Sequence, residues 1–249
     1  MLLNGRQMLF LAVLTGVLLW AAWPAAGIAP LLFIAFVPLL LVEHNFYRRP
    51  GELRKRKLFG YAYLSFFVFN LLTTWWIYFA SLFGVIMAVI FNSLFMALAF
   101  QLAHFIRQKT RARKELGYLP LMIVWVCFEY LHMNWDLSWS WLNLGNGFAA
   151  WYELVQWYEY TGVLGGTFWI LLVNEFFTMF IIRSVSGDMR NGLIKLRTAL
   201  ILVLVPVIFS LIRYVTYQEG KNPVNVAIIQ PNIDPYNEKF SGMTSGEQL

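Results

Sequence analysis

Most of the positive charge in this 249-residue chain falls in every second gap of an apolar alternation, and few folds tolerate that pattern. Seven apolar stretches occupy roughly residues 8–23, 28–42, 58–79, 85–106, 118–133, 162–182 and 198–214. Sixteen of the nineteen Lys and Arg residues lie in four places. Arg6 precedes the first stretch. Arg48, Arg49, Arg54, Lys55, Arg56 and Lys57 separate the second from the third. Arg107, Lys109, Arg111, Arg113 and Lys114 follow the fourth, and Arg183, Arg190, Lys195 and Arg197 follow the sixth. The intervening gaps, 24–27, 80–84 and 132–160, hold neither residue type. Short loops rich in Lys and Arg stay on the cytoplasmic side of a membrane, because they resist translocation. The expected fold is an all-α polytopic membrane bundle of about seven helices, N-terminus inside, with everything after the seventh outside.

Composition agrees. Apolar residues make up 59% and charged residues 13%, against about 45–50% and roughly 25% in soluble domains. The net charge of +6 does not call for nucleic acid, since the basic residues face anionic headgroups first. A helix needs about 20 apolar residues to cross the hydrocarbon core, so the first, second and fifth stretches are short and their ends are the least defined. The first, led by Arg6 and closed by the small residues 21–26, also resembles a signal peptide, although Trp20, Trp23 and Pro24 suit a cleavage site poorly.

No metal-binding constellation or cofactor motif is visible. His44, His104 and His132 each fall near the end of a stretch, where an amphipathic ring suits the interface. Cys127 is the one cysteine and reads as a small packing residue, so no intrachain disulfide can form. Glu129 and Glu175 are the ionisable residues expected inside spans, a placement that is costly and often functional. Glu129 admits two readings: a structural partner for Asn70, Asn92 or Asn174, or a group facing substrate. Gly162 and Gly166, four apart, are expected to let helices approach closely.

The external segment 132–160 carries five tryptophans, Trp135, Trp139, Trp141, Trp151 and Trp157. An aromatic belt at the membrane surface would explain them. The string Trp141-Leu142-Asn143-Leu144-Gly145-Asn146-Gly147 is more specific. Its Asn and Gly residues suit left-handed backbone, and a belt needs no such punctuation. Beyond the last stretch, 216–223 reads as a polar linker. Residues 226–229, Val-Ala-Ile-Ile, are apolar and mostly β-branched, as in a buried strand, and Pro231 ends them. A lone strand cannot stand without partners, so the chain is expected to be truncated just as a soluble domain begins. The expected division is 1–215 transmembrane, 216–223 linker and 224–249 the incomplete start of an extracytoplasmic domain.

Seven spans, the Trp-Leu-Asn-Leu-Gly-Asn turn and the strand leading into Gln230-Pro231-Asn232-Ile233 together resemble bacterial apolipoprotein N-acyltransferases. Trp141, Leu142 and Gly145 match a Pro-Trp-Leu-x-x-Gly string of that family, with Ser140 standing where the family usually has Pro. Trp76-Ile77-Tyr78 resembles its Trp-x-Tyr at the end of the third helix, and Glu129 a Glu of its fifth. The resemblance implies a truncated nitrilase-like α/β domain, of which 226–229 would be the first strand. It implies transfer of an acyl chain from a phospholipid to the N-terminal cysteine amine of diacylated lipoproteins, through a thioester on a cysteine of a Glu-Lys-Cys triad. That triad would lie past Leu249, so this chain would hold no catalytic residue and be inactive alone. Trp141, Asn143, Gly145, Trp76, Tyr78 and Glu129 are the implied substrate-binding residues. The implied partners are phospholipid donor, lipoprotein acceptor and membrane lipids, with the protein a monomer in the inner membrane, its C-terminal segment external, and no cofactor. From the residues alone, a small transporter or channel, or a non-catalytic membrane anchor, remains open.

Overall fold

The computed structural model describes residues 3–24, 26–49, 55–113, 116–218, 220 and 224–230. Its helices are α1 (Gly5–Ala22), α2 (Leu32–Ala35), α3 (Val37–Arg48), α4 (Lys55–Thr74), α5 (Leu82–Lys109), α6 (Leu119–Met133), α7 (Tyr158–Val185) and α8 (Met189–Thr216). Tight 3-10 turns at Ala29–Leu31, Trp75–Phe79, Ser140–Leu142 and Leu144–Leu154 complete it. Among the described residues six segments are long and apolar enough to cross a membrane, α2 and α3 counting together as Ala29–Arg48. The fifth expected span, α6, has 15 residues. At 1.5 Å per residue it reaches roughly 22 Å, short of the ~30 Å hydrocarbon core.

Helices outrun their apolar stretches. Arg107 and Lys109 lie in the last turn of α5, and α8 starts before Arg190, Lys195 and Arg197. These residues were expected in loops. An apolar run measures hydrocarbon thickness, whereas a helix continues until its backbone finds another partner, and long cationic side chains reach the headgroups from within it. All these charges gather at one end of the bundle. The backbone of Leu3 is tied there to Asn45 (3.3 Å) and Arg49, and Tyr118 N–H to Glu175 (3.2 Å).

α4 packs between α1 and α5, α6 between α5 and α7, and α8 lies against α7. Gly16 lets α1 touch α4, since a Cβ there would meet the Ser65 carbonyl and Val68. An aromatic core joins three elements: the Trp125 ring lies 5.1 Å from Phe36 and 5.3 Å from Phe66. The second span kinks between α2 and α3, where Pro38 lacks an N–H. Asn174 of α7 inserts there. Its amide donates to the Leu32 carbonyl (2.7 Å) and its oxygen accepts from Phe36 N–H (2.9 Å), the two groups a straight helix would pair. Asn174 is thus committed to this kink and does not meet Glu129.

Three further expectations change. Gly162 has φ +64° with open space beside it, so it breaks the start of α7 and does not serve close packing, and Gly166 makes room for the Tyr158 side chain of α7 itself, not for another helix. Cys127 faces outward on α6 and does not fill the core. Residues 224–230 form no strand, and Val226, Ile228 and Ile229 are exposed. Among the described residues nothing pairs with them, and a strand without partners leaves its backbone to water.

Candidate functional site

At the end of the bundle away from the basic residues, the chain between α6 and α7 folds back onto the helices. Leu142, Leu144 and Phe148 are buried in the core, so this segment is more than a surface belt. Trp151 Nε1 donates to the Gly27 carbonyl (2.8 Å), fastening the segment to the turn after α1.

Glu129 organises the fold-back. It is 2% exposed. Its Oε1 accepts from Trp125 Nε1 (3.0 Å) and from Leu144 N–H (2.8 Å), and its Oε2 from the Thr167 hydroxyl (2.5 Å). Thr167 Oγ1 accepts in turn from Gly145 N–H (3.1 Å), and the Gly145 carbonyl from Tyr158 (3.2 Å). One carboxylate therefore ties α6, the Leu144–Gly145 backbone and α7 together. None of the three asparagines expected as its partners touches it. A buried carboxylate needs each lone pair answered. Here both oxygens are answered from within the protein, which places Glu129 under the site and not on its surface.

Gly145 is required by space. A Cβ there would strike the Val163 carbonyl of α7. The left-handed backbone expected of this string is absent: Asn143 sits at φ −60°, and positive φ among the described glycines occurs at Gly27, Gly117, Gly162 and Gly187.

Above this clamp lies a cleft of about 510 Å³. Six tryptophans line it: Trp20 of α1 and Trp23 just after it, Trp75 and Trp76 after α4, Trp139 and Trp141 from the fold-back. Trp141 is 63% exposed, with its ring centroid 5.7 Å from Trp76 and 6.4 Å from Trp139. Of the expected site residues, Trp76 and Trp141 meet here. Asn143 and Gly145 lie beneath in the fold-back, and Tyr78 is exposed outside the lining, against Phe79. Buried donors without a partner among the described residues include Trp139 Nε1 and Asn143 Nδ2. Trp20, Trp23, Trp75 and Trp139 were not anticipated as site residues. Sequence offers only their interfacial level, and they come from segments over a hundred residues apart.

The histidines correct a second expectation. His104 and His132 are buried, not interfacial. Trp135 Nε1 donates to His132 Nδ1 (2.9 Å), which leaves the proton on Nε2, facing Asn92 Oδ1 (2.9 Å); Asn92 donates on to Asn70 (2.6 Å). At the basic end, His104 Nδ1 lies 2.6 Å from Glu43, whose other oxygen pairs with Arg107. Arg107 also donates to the Gly117 carbonyl (3.0 Å), between the rings of Tyr47 (4.0 Å) and Tyr118 (3.8 Å). Intramembrane charge is thus not limited to Glu129 and Glu175. Arg213 pairs with Glu159 at 2.7 Å on the exposed surface.

A family model described as the apolipoprotein N-acyltransferase N-terminal domain matches residues 15–176. The apolipoprotein N-acyltransferase of Chlorobaculum tepidum is 31% identical over 246 residues, covering 96% of this chain and 44% of that protein. That of Geobacter metallireducens is 30% identical over 242 residues, covering 92% and 44%. The chain thus spans less than half the length of these two relatives. No solved structure matches it significantly.

Proposed function

The chain belongs to the apolipoprotein N-acyltransferase family, and from that premise we propose that it forms the membrane part of an enzyme moving an acyl chain from phospholipid to the N-terminal cysteine amine of diacylated lipoproteins. It sits in the bacterial inner membrane as a monomer of seven spans, N-terminus inside, with α6 as a shortened fifth span and residues past α8 outside. The six-tryptophan cleft carries this reading. It opens at the end opposite the basic residues, which the charge asymmetry assigns to the outer leaflet. Indole rings wall an acyl chain with large rigid apolar faces while their N–H groups stay available. The open donors on Trp139 and Asn143 suit an ester or amide carbonyl at the lipid's polar junction. Trp76 and Trp141 contact the lipid, while Asn143, Gly145 and Glu129 shape the floor and Tyr78 stands at the rim.

Cys127 takes no part in the chemistry, since its surroundings on α6 are largely apolar side chains and a reactive thiolate needs electropositive company. The exposed apolar side chains of Val226, Ile228 and Ile229 support the further reading that residues 224–249 open a nitrilase-like extracytoplasmic domain, because such a surface calls for cover.

Binding, which needs no turnover, tests the proposal. The chain is reconstituted in proteoliposomes and titrated with a fluorescent diacylated lipopeptide. Saturable binding is expected. Trp141→Ala should weaken it on the order of tenfold, equivalent to about 1.4 kcal/mol, and Tyr160→Ala, an exposed aromatic outside the cleft, should not. Non-saturable partitioning, or equal losses in both variants, would refute the cleft as the site.

A further inference from the structure

A second cavity system lies on the other side of Trp139. Trp139 lines both the tryptophan cleft and a pocket of about 290 Å³ between α5 and the fold-back, so it stands as the wall between them. The pocket's polar lining consists of Asn92, Ser138, His132 and the edge of Trp139, and it contains no Lys, Arg, Asp or Glu. Below it, a groove of about 460 Å³ runs down the outer face between α5 and α6. Phe95 and His132 line both, so pocket and groove adjoin. The groove's lower walls, including Leu98, Leu102, Val124 and Cys127, are apolar.

This layout has a direction. A mostly apolar pocket with a few uncharged polar groups sits at the fold-back end, and a more apolar trough lies next to it toward the middle of the bundle. From Phe95 to Leu102 the trough follows seven residues of α5, roughly 10 Å at 1.5 Å per residue. The polar end is built, not incidental. His132 and Asn92 are 3% and 5% exposed and are fixed by the chain Trp135–His132–Asn92–Asn70. That chain uses both His132 nitrogens and one of the two Asn92 amide hydrogens, so the other amide hydrogen and the Ser138 hydroxyl are left to donate.

We propose that this pocket and groove hold a phospholipid of the outer leaflet, one acyl chain lying in the α5–α6 trough and its glycerol ester at the level of Asn92, His132 and Ser138. Uncharged donors match an ester carbonyl and not a phosphate, which would draw Arg or Lys. The phosphate and headgroup stay in the interface outside the pocket. The site is separate from the tryptophan cleft and shares one wall with it. The inference requires that the chain spans a membrane, but not that it transfers acyl groups.

The test uses the complete chain in phosphatidylcholine nanodiscs containing a trace of phosphatidylethanolamine with a photoactivatable diazirine in one acyl chain. After irradiation, mass spectrometry locates the adducts. α8 is the internal control, since it turns a largely unburied apolar face outward, including Ile201 and Leu204. Label should concentrate several-fold on residues 91–102 and 123–131 relative to α8, and excess unlabelled phosphatidylethanolamine should compete it away. Leu98→Trp, which fills the trough from a half-exposed position, should abolish that excess, whereas Ile201→Trp should leave it intact. Cys127 gives an independent reading: added phosphatidylethanolamine should slow its alkylation in detergent, and Leu98→Trp should remove the protection. Label spread over α5, α6 and α8 in proportion to exposed surface, or an excess that survives Leu98→Trp, would mean annular lipid only and overturn the proposal. Failure of lipopeptide binding would leave this result untouched.

Discussion

Removing the Glu129 carboxylate separates a clamp from a substrate ligand. Glu129→Ala would strip the acceptor from three buried donors: Trp125 Nε1, Leu144 N–H and the Thr167 hydroxyl. Hydrogen bonds between membrane helices average about 0.6 kcal/mol, with an upper end near 1.7, because the unfolded chain in lipid also finds partners. Three of them come to roughly 2–5 kcal/mol. For a chain of this size each kcal/mol moves the melting temperature about 2–4 °C, so a fall on the order of 10 °C is expected, read by tryptophan fluorescence in detergent. Glu129→Gln keeps one oxygen for Leu144 and Trp125 and should fall between the two. Thr167→Val removes the shared partner on α7. The double variant should therefore lose less than the sum of the single losses, since contacting residues do not add. A melting temperature for Glu129→Ala within about 2 °C of the parent, or full additivity with Thr167→Val, would refute the clamp and return Glu129 to the substrate.

Gly145→Ala should lower stability and disturb the fold-back, because its Cβ meets the Val163 carbonyl, a backbone atom that cannot swing aside; limited proteolysis between α6 and α7 would report it. Arg107→Met should cost on the order of 3–5 kcal/mol by leaving Glu43 buried without its cation, and Arg107→Met paired with Glu43→Leu should recover part of that loss in the same melting assay. Arg213→Ala breaks a pair exposed on both sides and should leave the melting temperature unchanged, which a shift of several degrees would contradict. A reporter fused before Leu58 should read cytoplasmic and one fused after Asn225 external; a cytoplasmic reading at Asn225 would overturn the count that includes α6.

The aromatic string around Trp141 was legible as something shaped, but for the wrong reason. Asn and Gly suggested left-handed turns, whereas the structure holds Asn143 in ordinary extended backbone and needs Gly145 for its lack of a side chain. Local sequence reports which residues can adopt a conformation and is silent on what approaches them. The same limit explains the histidines. An amphipathic ring near the end of a stretch suits the interface, and only the opposing helix decides whether it turns inward to Glu43 or Asn92 instead. Trp76 and Trp141 were identified as site residues through resemblance, yet four of the six cleft tryptophans were not, because nothing local distinguishes a cleft-lining indole from one facing lipid.

What the sequence marked by itself is the set of apolar segments, six of which the structure builds, among the described residues, as helices long and apolar enough to cross a membrane. Hydrocarbon thickness and the cost of moving Lys and Arg across it act on each segment separately, so both can be counted without knowing any neighbour. What only the tertiary structure decided is which polar groups meet. Glu129 with Thr167, 38 residues away, and Asn174 with Leu32, 142 residues away, depend on how each helix is rotated about its axis. A soluble helix shows that rotation in its apolar stripe. Here lipid and core are equally apolar, the stripe is erased, and the inward face becomes visible only once the helices are packed.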